Sequence, residues 1–186
     1  MNEKTCVVAG VGPGIGKACC EHYAQQGYRV VMPARQQDYL TELASTMPAN
    51  TISIAVDLSE ETAVNQAFTQ IEEQCGAVDT LIYNAARGSF GSFLDAKPAD
   101  LEKNFAINTM GLLYCARACA PKMIKRAMGS ILVTGNTTCA CGVPSNRWCN
   151  RWAFCPRFKQ RQARRFFYST QCNYRGDLVF RSTTRK

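Results

Sequence analysis

The amino-acid sequence predicts an α/β fold in which one parallel sheet is covered by helices on both faces. Two observations carry this prediction. Short apolar runs alternate with stretches of helical periodicity through residues 1–138, and the first apolar run breaks into a glycine-rich turn. Because strands separated by helices need crossover connections, they pair in parallel. We therefore expect a doubly wound, Rossmann-like sheet with the strand order 3-2-1-4-5.

The same pattern gives the bounds of each element. The predicted strands are residues 5–10, 28–34, 51–57, 78–86 and 129–135. The predicted helices are residues 16–26, 38–47, 59–75 and 98–126. In the first helix, Ala18, Cys19 and Tyr23 recur at helical spacing, and Gly27 marks its end.

Two later elements carry further signals. Ser59 is the expected N-cap of the third helix, and Glu60 and Glu61 follow it in the first turn, where the helix dipole favours acidic residues. The fourth strand, residues 78–86, is almost continuously apolar at its centre. Such a run predicts a strand that is buried on both faces of the sheet.

The net charge of +8 is unevenly distributed along the chain. Residues 1–138 hold 11 basic and 13 acidic residues, whereas residues 139–186 hold 11 basic residues and a single acid, Asp177. The sequence thus divides into an α/β domain and a basic tail that is rich in cysteine and arginine. The tail lacks helical and strand periodicity, as a shifted reading frame or a degraded gene end would produce. We therefore expect the last strands of the fold to be incomplete.

Composition also limits where the protein is expected to work. No apolar run reaches the roughly 18–20 residues that span a bilayer, and the first residues contain no cleavable leader. We therefore expect a cytoplasmic protein without a membrane anchor. In that compartment all eleven cysteines are expected to be thiols.

The glycine-rich turn is the first candidate site. Glycine lets a backbone turn tightly and approach a pyrophosphate, whose charge then lies at the N-terminus of the following helix. An ordinary strand-to-helix turn can also use two glycines, but four within seven residues favour a nucleotide loop. The candidate residues are Gly10, Gly12, Pro13, Gly14, Ile15 and Gly16.

The residue after the second strand indicates which dinucleotide would bind. An acidic residue at this point binds the ribose 2′-hydroxyl of NAD, and a basic residue accommodates the 2′-phosphate of NADP. The chain has Ala34 and Arg35 there, with no acid before Asp38. NADP is therefore the expected cofactor. NAD remains the alternative if Arg35 is only a solvated loop charge.

Several motifs in the expected order resemble one family. The stretch from Ala9 to Gly16 resembles the T-G-x-x-x-G-I-G motif of the short-chain dehydrogenase/reductase family, with alanine in place of the usual threonine. The "VDLS" stretch places Asp57 and Leu58 where that family holds the adenine. The resemblance covers residues 4–138 and ends with "ILVTGNTT", which is similar to the family's fifth strand.

Two further stretches continue the resemblance. "YNAA" is similar to the family's N-N-A-G motif, with Tyr83 and Ala86 as departures; Asn84 and Ala85 match, and Asn84, Ala85 and Ala86 are expected beside the cofactor. "INTMG" places Asn108 where the family has a helix asparagine that organises a water near the catalytic lysine. The resemblance implies an oxidoreductase that uses NADP(H) on a small carbonyl or alcohol substrate.

The family's catalytic tyrosine and lysine are not found. They share a helix face at Y-x-x-x-K spacing, and none of the seven tyrosines in this chain is followed four residues later by lysine. The family's serine position corresponds to Cys139, and Trp152 stands where the tyrosine is expected. Asn108 and Cys139 are thus the remaining catalytic candidates, and the activity itself is in question.

The tail allows other interpretations. Its basic residues alternate with aromatic ones, which would suit contact with nucleic acid or another acidic surface, although a basic stretch is more often merely solvated. Cys139, Cys141, Cys149 and Cys155 lack the paired C-x-x-C spacing of a zinc site, so no metal is expected. The family often forms dimers or tetramers, and a homo-oligomer is compatible with the sequence.

Overall fold

The computed structural model describes residues 3–48, 50–89, 92 and 94–135 of the chain. The strands are β1 (Thr5–Ala9), β2 (Arg29–Ala34), β3 (Thr51–Ala55), β4 (Val78–Tyr83) and β5 (Ser130–Val133). The helices are α1 (Ile15–Gln25), α2 (Gln37–Ser45), α3 (Glu61–Cys75), α4 (Pro98–Phe105) and α5 (Gly111–Lys125), with a π-helical turn, Ala106–Met110, between the last two. The predicted tail, residues 139–186, lies outside the described residues.

The five strands form one parallel sheet with the order β3-β2-β1-β4-β5, which confirms the predicted order. β1 lies at the centre and is buried along its whole length. β4 is buried at five of its six positions, as its apolar sequence predicts. β5 lies at the edge of the described sheet and is only partly covered.

Helices cover both faces of the sheet. Because strand side chains alternate, Cys6 and Val8 of β1 face one layer, where they pack with residues of α1 and α2. Val7 and Ala9 face the other layer, where they pack with residues of α3 and α5. No helix within the described residues is long and apolar enough to cross a membrane.

The cysteines lie inside these two layers. Cys6, Cys19 and Cys20 are buried in the layer of α1 and α2, and Cys115 and Cys119 in the layer of α3 and α5. All five are free thiols, as is the half-buried Cys75. Burial raises the pKa of Cys20, Cys115 and Cys119 to about 12, so these thiols stay protonated. No cluster of metal-binding side chains occurs among the residues with described structure.

Two predicted boundaries are corrected by hydrogen bonding. Ser59 does not cap α3, because its hydroxyl donates to Asp57 Oδ1 at 2.7 Å and the helix begins at Glu61 without a side-chain cap. β4 ends at Tyr83 rather than at residue 86. The N–H of Asn84 still donates to the carbonyl of Ala9 in β1, and beyond it the backbone of Arg87 pairs with the side chain of Asn108.

Candidate functional site

The carboxyl ends of all five strands meet at one edge of the sheet. β1 is followed by the glycine-rich turn. The chain then passes through β2 and β3 on one side of β1 and returns to β4 and β5 on the other side. In an open α/β sheet, the point where strand order reverses leaves a crevice beyond the strand ends. The predicted site residues in the described part of the chain lie in the segments that follow β1, β2, β3 and β4, except Asn108, which lies in the π-helical turn.

Gly10 and Gly16 are required by contacts within the protein. Gly10 has a φ of +85°, and a Cβ added to it would lie 2.6 Å from the Cβ of Ala85. A Cβ on Gly16 would lie 2.9 Å from the Cα of Val11. Both separations are too short for real atoms, so these glycines let β1, the turn and the strand-end segment after β4 pack closely.

Gly12 and Gly14 have a different environment. A Cβ at either position would meet no atom of the described residues within 4 Å. Pro13 between them is exposed, as is Ile15 at the start of α1. The two glycines therefore keep open a space on the outer side of the turn, in front of the first turn of α1.

The N-terminus of α1 faces that space, and no side chain among the described residues caps it. Gly14 is the N-cap residue, no side chain caps the helix, and its first turn contains no acidic residue. The first N–H groups of an α-helix have no partner inside the helix and carry the positive end of its dipole. The turn thus offers backbone donors and partial positive charge to an anion.

Asn84 ties the strand ends together beneath the turn. Its Nδ2 donates to the carbonyl oxygen of Gly10 at 2.7 Å, and its Oδ1 accepts from the Thr134 hydroxyl at 3.0 Å. Its backbone N–H donates to the carbonyl of Ala9 at 2.8 Å. Asn84 therefore joins the ends of β1, β4 and β5. Thr134 is a site residue that the sequence did not single out.

Arg35 and Asp57 lie at the ends of β2 and β3. The Asp57 carboxylate accepts from the backbone N–H of Ser59 at 2.9 Å and from its hydroxyl at 2.7 Å. These two hydrogen bonds lower the pKa of Asp57, and the nearby cation of Arg35 lowers it further. Both charged side chains are exposed, whereas the Leu58 side chain is 5% exposed and belongs to the core. Leu58 can therefore face a ligand only through its backbone.

Asn108 lies in the π turn and is paired with the backbone of Arg87. Its Oδ1 accepts from the Arg87 N–H at 2.8 Å, and its Nδ2 donates to the Arg87 carbonyl at 2.8 Å. The side chain thus holds the segment after β4 through one donated and one accepted hydrogen bond.

The same helical face holds this segment at two more points. Asp100 accepts from the Arg87 guanidinium at 3.2 Å, and Asn104 donates to the Ser89 hydroxyl at 2.9 Å. Asp100, Asn104 and Asn108 are spaced four residues apart, which is the sequence signal for a shared polar face. Cys139 and the other tail cysteines lie outside the described residues.

Comparison with known proteins identifies the family. The family model described as short chain dehydrogenase matches residues 4–148. A short chain dehydrogenase of Pseudocercospora fijiensis is 33% identical over 138 residues, which cover 71% of this chain and 44% of the relative. A probable NADP-dependent dehydrogenase of Haemophilus influenzae is 32% identical over 135 residues, which cover 71% of this chain and 53% of the relative.

Solved structures show the same fold. The alcohol dehydrogenase of the archaeon Thermococcus sibiricus, in complex with 5-hydroxy-NADP, has a TM-score of 0.70 and 25% sequence identity, covering 76% of this chain and 62% of that chain. Serine dehydrogenase of Escherichia coli has a TM-score of 0.68 and 27% identity, covering 75% and 64%. This chain spans about half the length of the curated relatives it matches. The chain belongs to the short-chain dehydrogenase family.

Proposed function

We propose that this chain binds NADP(H) at the carboxyl edge of the sheet and descends from oxidoreductases that act on small carbonyl or alcohol substrates. The observation that carries the proposal is the open space over Gly12 and Gly14 in front of the uncapped N-terminus of α1. A turn that served only to connect a strand to a helix would not need two glycines facing open space.

The pyrophosphate would lie in that space. Backbone N–H groups of Gly14, Ile15 and Gly16 would donate to it, and the dipole of α1 would offset its negative charge. Gly12 and Pro13 would let the backbone approach without a side chain in between. Because Gly10 and Gly16 are fixed by packing, the turn needs little rearrangement to bind.

The ends of the neighbouring strands would hold the two remaining parts of the cofactor. Asp57 and the backbone of Leu58 would lie beside the adenine, and Asn84, Ala85 and Ala86 would line the path toward the nicotinamide. Arg35, which is exposed immediately after β2, would pair with the 2′-phosphate. Two relatives support NADP by their own descriptions, the H. influenzae dehydrogenase and the archaeal alcohol dehydrogenase.

The nicotinamide supplies a hydride when it is bound, and the protein has to supply the proton. Hydride transfer to a carbonyl leaves an alkoxide, and a general acid at this step is typically worth ~10²–10⁴-fold in rate. The sequence holds no tyrosine with lysine four residues on, and the side-chain amide of Asn108, which holds the Arg87 backbone, is not a general acid. We therefore propose that this chain retains the cofactor site of the family but not its efficient catalysis.

Calorimetric titration of NADPH into the full chain tests this proposal. We expect saturable binding in wild type and its loss in Gly14→Val, because the new side chain would occupy the space meant for the pyrophosphate. A Tyr28→Phe variant, altered just before the amino end of β2 and so away from the carboxyl ends of the strands, is the matched control. Absence of NADPH binding to folded wild type would show that the proposed site is wrong.

A further inference from the structure

The π turn lies against the end of β4 and interrupts a helical stretch. The Tyr83 hydroxyl, which is buried, donates a hydrogen bond to the carbonyl oxygen of Ile107 within this turn. Gly111, the first residue of α5, makes room for the contact. A Cβ there would collide with the Tyr83 oxygen and lie 2.6 Å from the Leu58 carbonyl oxygen. The tyrosine and the glycine are thus matched in size.

A second contact joins the same turn to the segment after β4, and here the side chain belongs to the turn and the backbone to the segment. Asn108, the residue after Ile107, holds both backbone groups of Arg87 through its side-chain amide. The strand end is therefore attached to the π turn at two points four residues apart, by the side chain of Tyr83 and by the backbone of Arg87. Between these points lie Asn84, Ala85 and Ala86.

The enclosed segment is the one that touches the glycine turn. Ala85 lies against Gly10 so closely that only glycine fits there, and Asn84 donates to the Gly10 carbonyl. Any displacement of the segment would therefore displace the turn or open a gap beneath it. Close packing transmits such shifts, since protein interiors deform little.

We propose that Tyr83 is a positioning residue that fixes segment 84–87 through the π turn and thereby sets the affinity for the dinucleotide. This inference rests on the cofactor site proposed above. Tyr83 does not touch the cofactor; it anchors the Ile107 carbonyl, which keeps Asn108 opposite Arg87. Phenylalanine at this position would keep the ring in the core and remove only the anchor.

Amide hydrogen exchange at Arg87 tests the attachment without any cofactor. In Tyr83→Phe we expect faster exchange at the Arg87 N–H, while the amides of β1 keep their protection. Tyr28→Phe, which removes a hydroxyl just before the amino end of β2, should leave both unchanged. Unaltered Arg87 exchange in Tyr83→Phe overturns the proposal, and so does an equal acceleration in β1, since that would indicate general loosening.

A double-mutant cycle on NADPH affinity tests the functional half. Tyr83→Phe alone should weaken binding by about two- to tenfold, the range of one neutral hydrogen bond. In an Asn108→Ala background the same substitution should have little further effect, because the residue it acts through is gone. Independent effects in the two backgrounds overturn the proposal. If wild type does not bind NADPH, the cofactor site is wrong, and Arg87 exchange still decides whether Tyr83 fixes the segment.

Discussion

The side-chain amide of Asn84 donates a 2.7 Å hydrogen bond to the carbonyl oxygen of Gly10, and this bond joins β4 to the turn that follows β1. The Gly10 N–H donates in turn to the carbonyl of Pro33 in β2 at 2.9 Å. Three adjacent strand ends are thereby connected through one glycine. The geometry of the turn consequently depends on residues that are distant in sequence.

Asn84→Ala should lower the free energy of unfolding by about 1–3 kcal/mol, because it leaves the partly buried Gly10 carbonyl without its donor. Urea unfolding of the purified variant measures this loss. Thr134→Val is the matched control, since it removes the hydroxyl that donates to Asn84 Oδ1 and, at 3.4 Å, to the Tyr83 carbonyl but keeps the donor to Gly10, and it should cost less. Equal losses in the two variants would contradict the special role given to Gly10.

The glycines of the turn should divide into two classes on substitution. Gly10→Ala should destabilise the fold by at least about 1–3 kcal/mol, because alanine is strained at a φ of +85° and would also clash with Ala85. Gly14→Val should leave a folded protein that no longer binds NADPH. Urea unfolding and calorimetry, applied to both variants, measure the two properties. A destabilised Gly14→Val that still bound NADPH would reverse the assignment.

Arg35→Ala should remove the preference for NADPH over NADH. We expect NADPH affinity to fall by about tenfold or more while NADH affinity stays the same, since only the 2′-phosphate distinguishes the two. Paired titrations at low and high salt measure the change, and the salt dependence of NADPH binding should weaken in the variant. Lys125→Ala, which removes an exposed positive charge in the last turn of α5, provides a charge-matched control. A wild type with equal affinities for both cofactors would refute the role of Arg35.

Ser59→Ala should destabilise the protein in a pH-dependent way. The Asp57 pKa is lowered in the folded state, so its hydrogen bonds stabilise the fold above the ordinary aspartate pKa of about 3.9 and lose this effect as the pH falls through the folded-state value. The difference between variant and wild type should therefore be largest near neutral pH and shrink below about pH 4. Urea unfolding across that range measures it. A difference that grew with acidity would contradict the sign of the pKa shift.

The chain should reduce carbonyl compounds poorly even when NADPH is bound. Without a tyrosine and lysine pair, the alkoxide must take its proton from water or from a weaker donor. NADPH absorbance, followed with a panel of ketones and aldehydes, measures the rate. Turnover at ordinary enzyme rates of ~1–10³ per second would show that another group donates the proton.

The sheet was predictable because its signal is repeated along the chain. Alternation of apolar runs with helical stretches specifies parallel strands, and the glycine turn after β1 marks the centre of the sheet. The family motifs also single out Asn84, which contacts the turn at Gly10, and Asn108, which contacts Arg87. Both signals depend on the order of residues along the chain rather than on single contacts.

Local competition between hydrogen bonds was not predictable in the same way. Ser59 has the right chemistry for a helix cap, but Asp57 is two residues away and accepts from the same hydroxyl. The π turn has no sequence period of its own, so the partnership of Tyr83 with Ile107 appears only in three dimensions. The sequence likewise could not separate Gly10, which faces Ala85, from Gly14, which faces open space.

The buried thiols provide a separate probe of local unfolding for the helical layer on each face of the sheet. A thiol reacts with an alkylating reagent only as an accessible thiolate, and burial here denies both conditions. The alkylation rate of Cys6 therefore reports how often the layer of α1 and α2 opens. The alkylation rate of Cys115 reports the same for the layer of α3 and α5. Mass spectrometry of the labelled peptides would measure the two alkylation rates separately. A dinucleotide bound at the N-terminus of α1 should slow the alkylation of Cys6 more than the alkylation of Cys115.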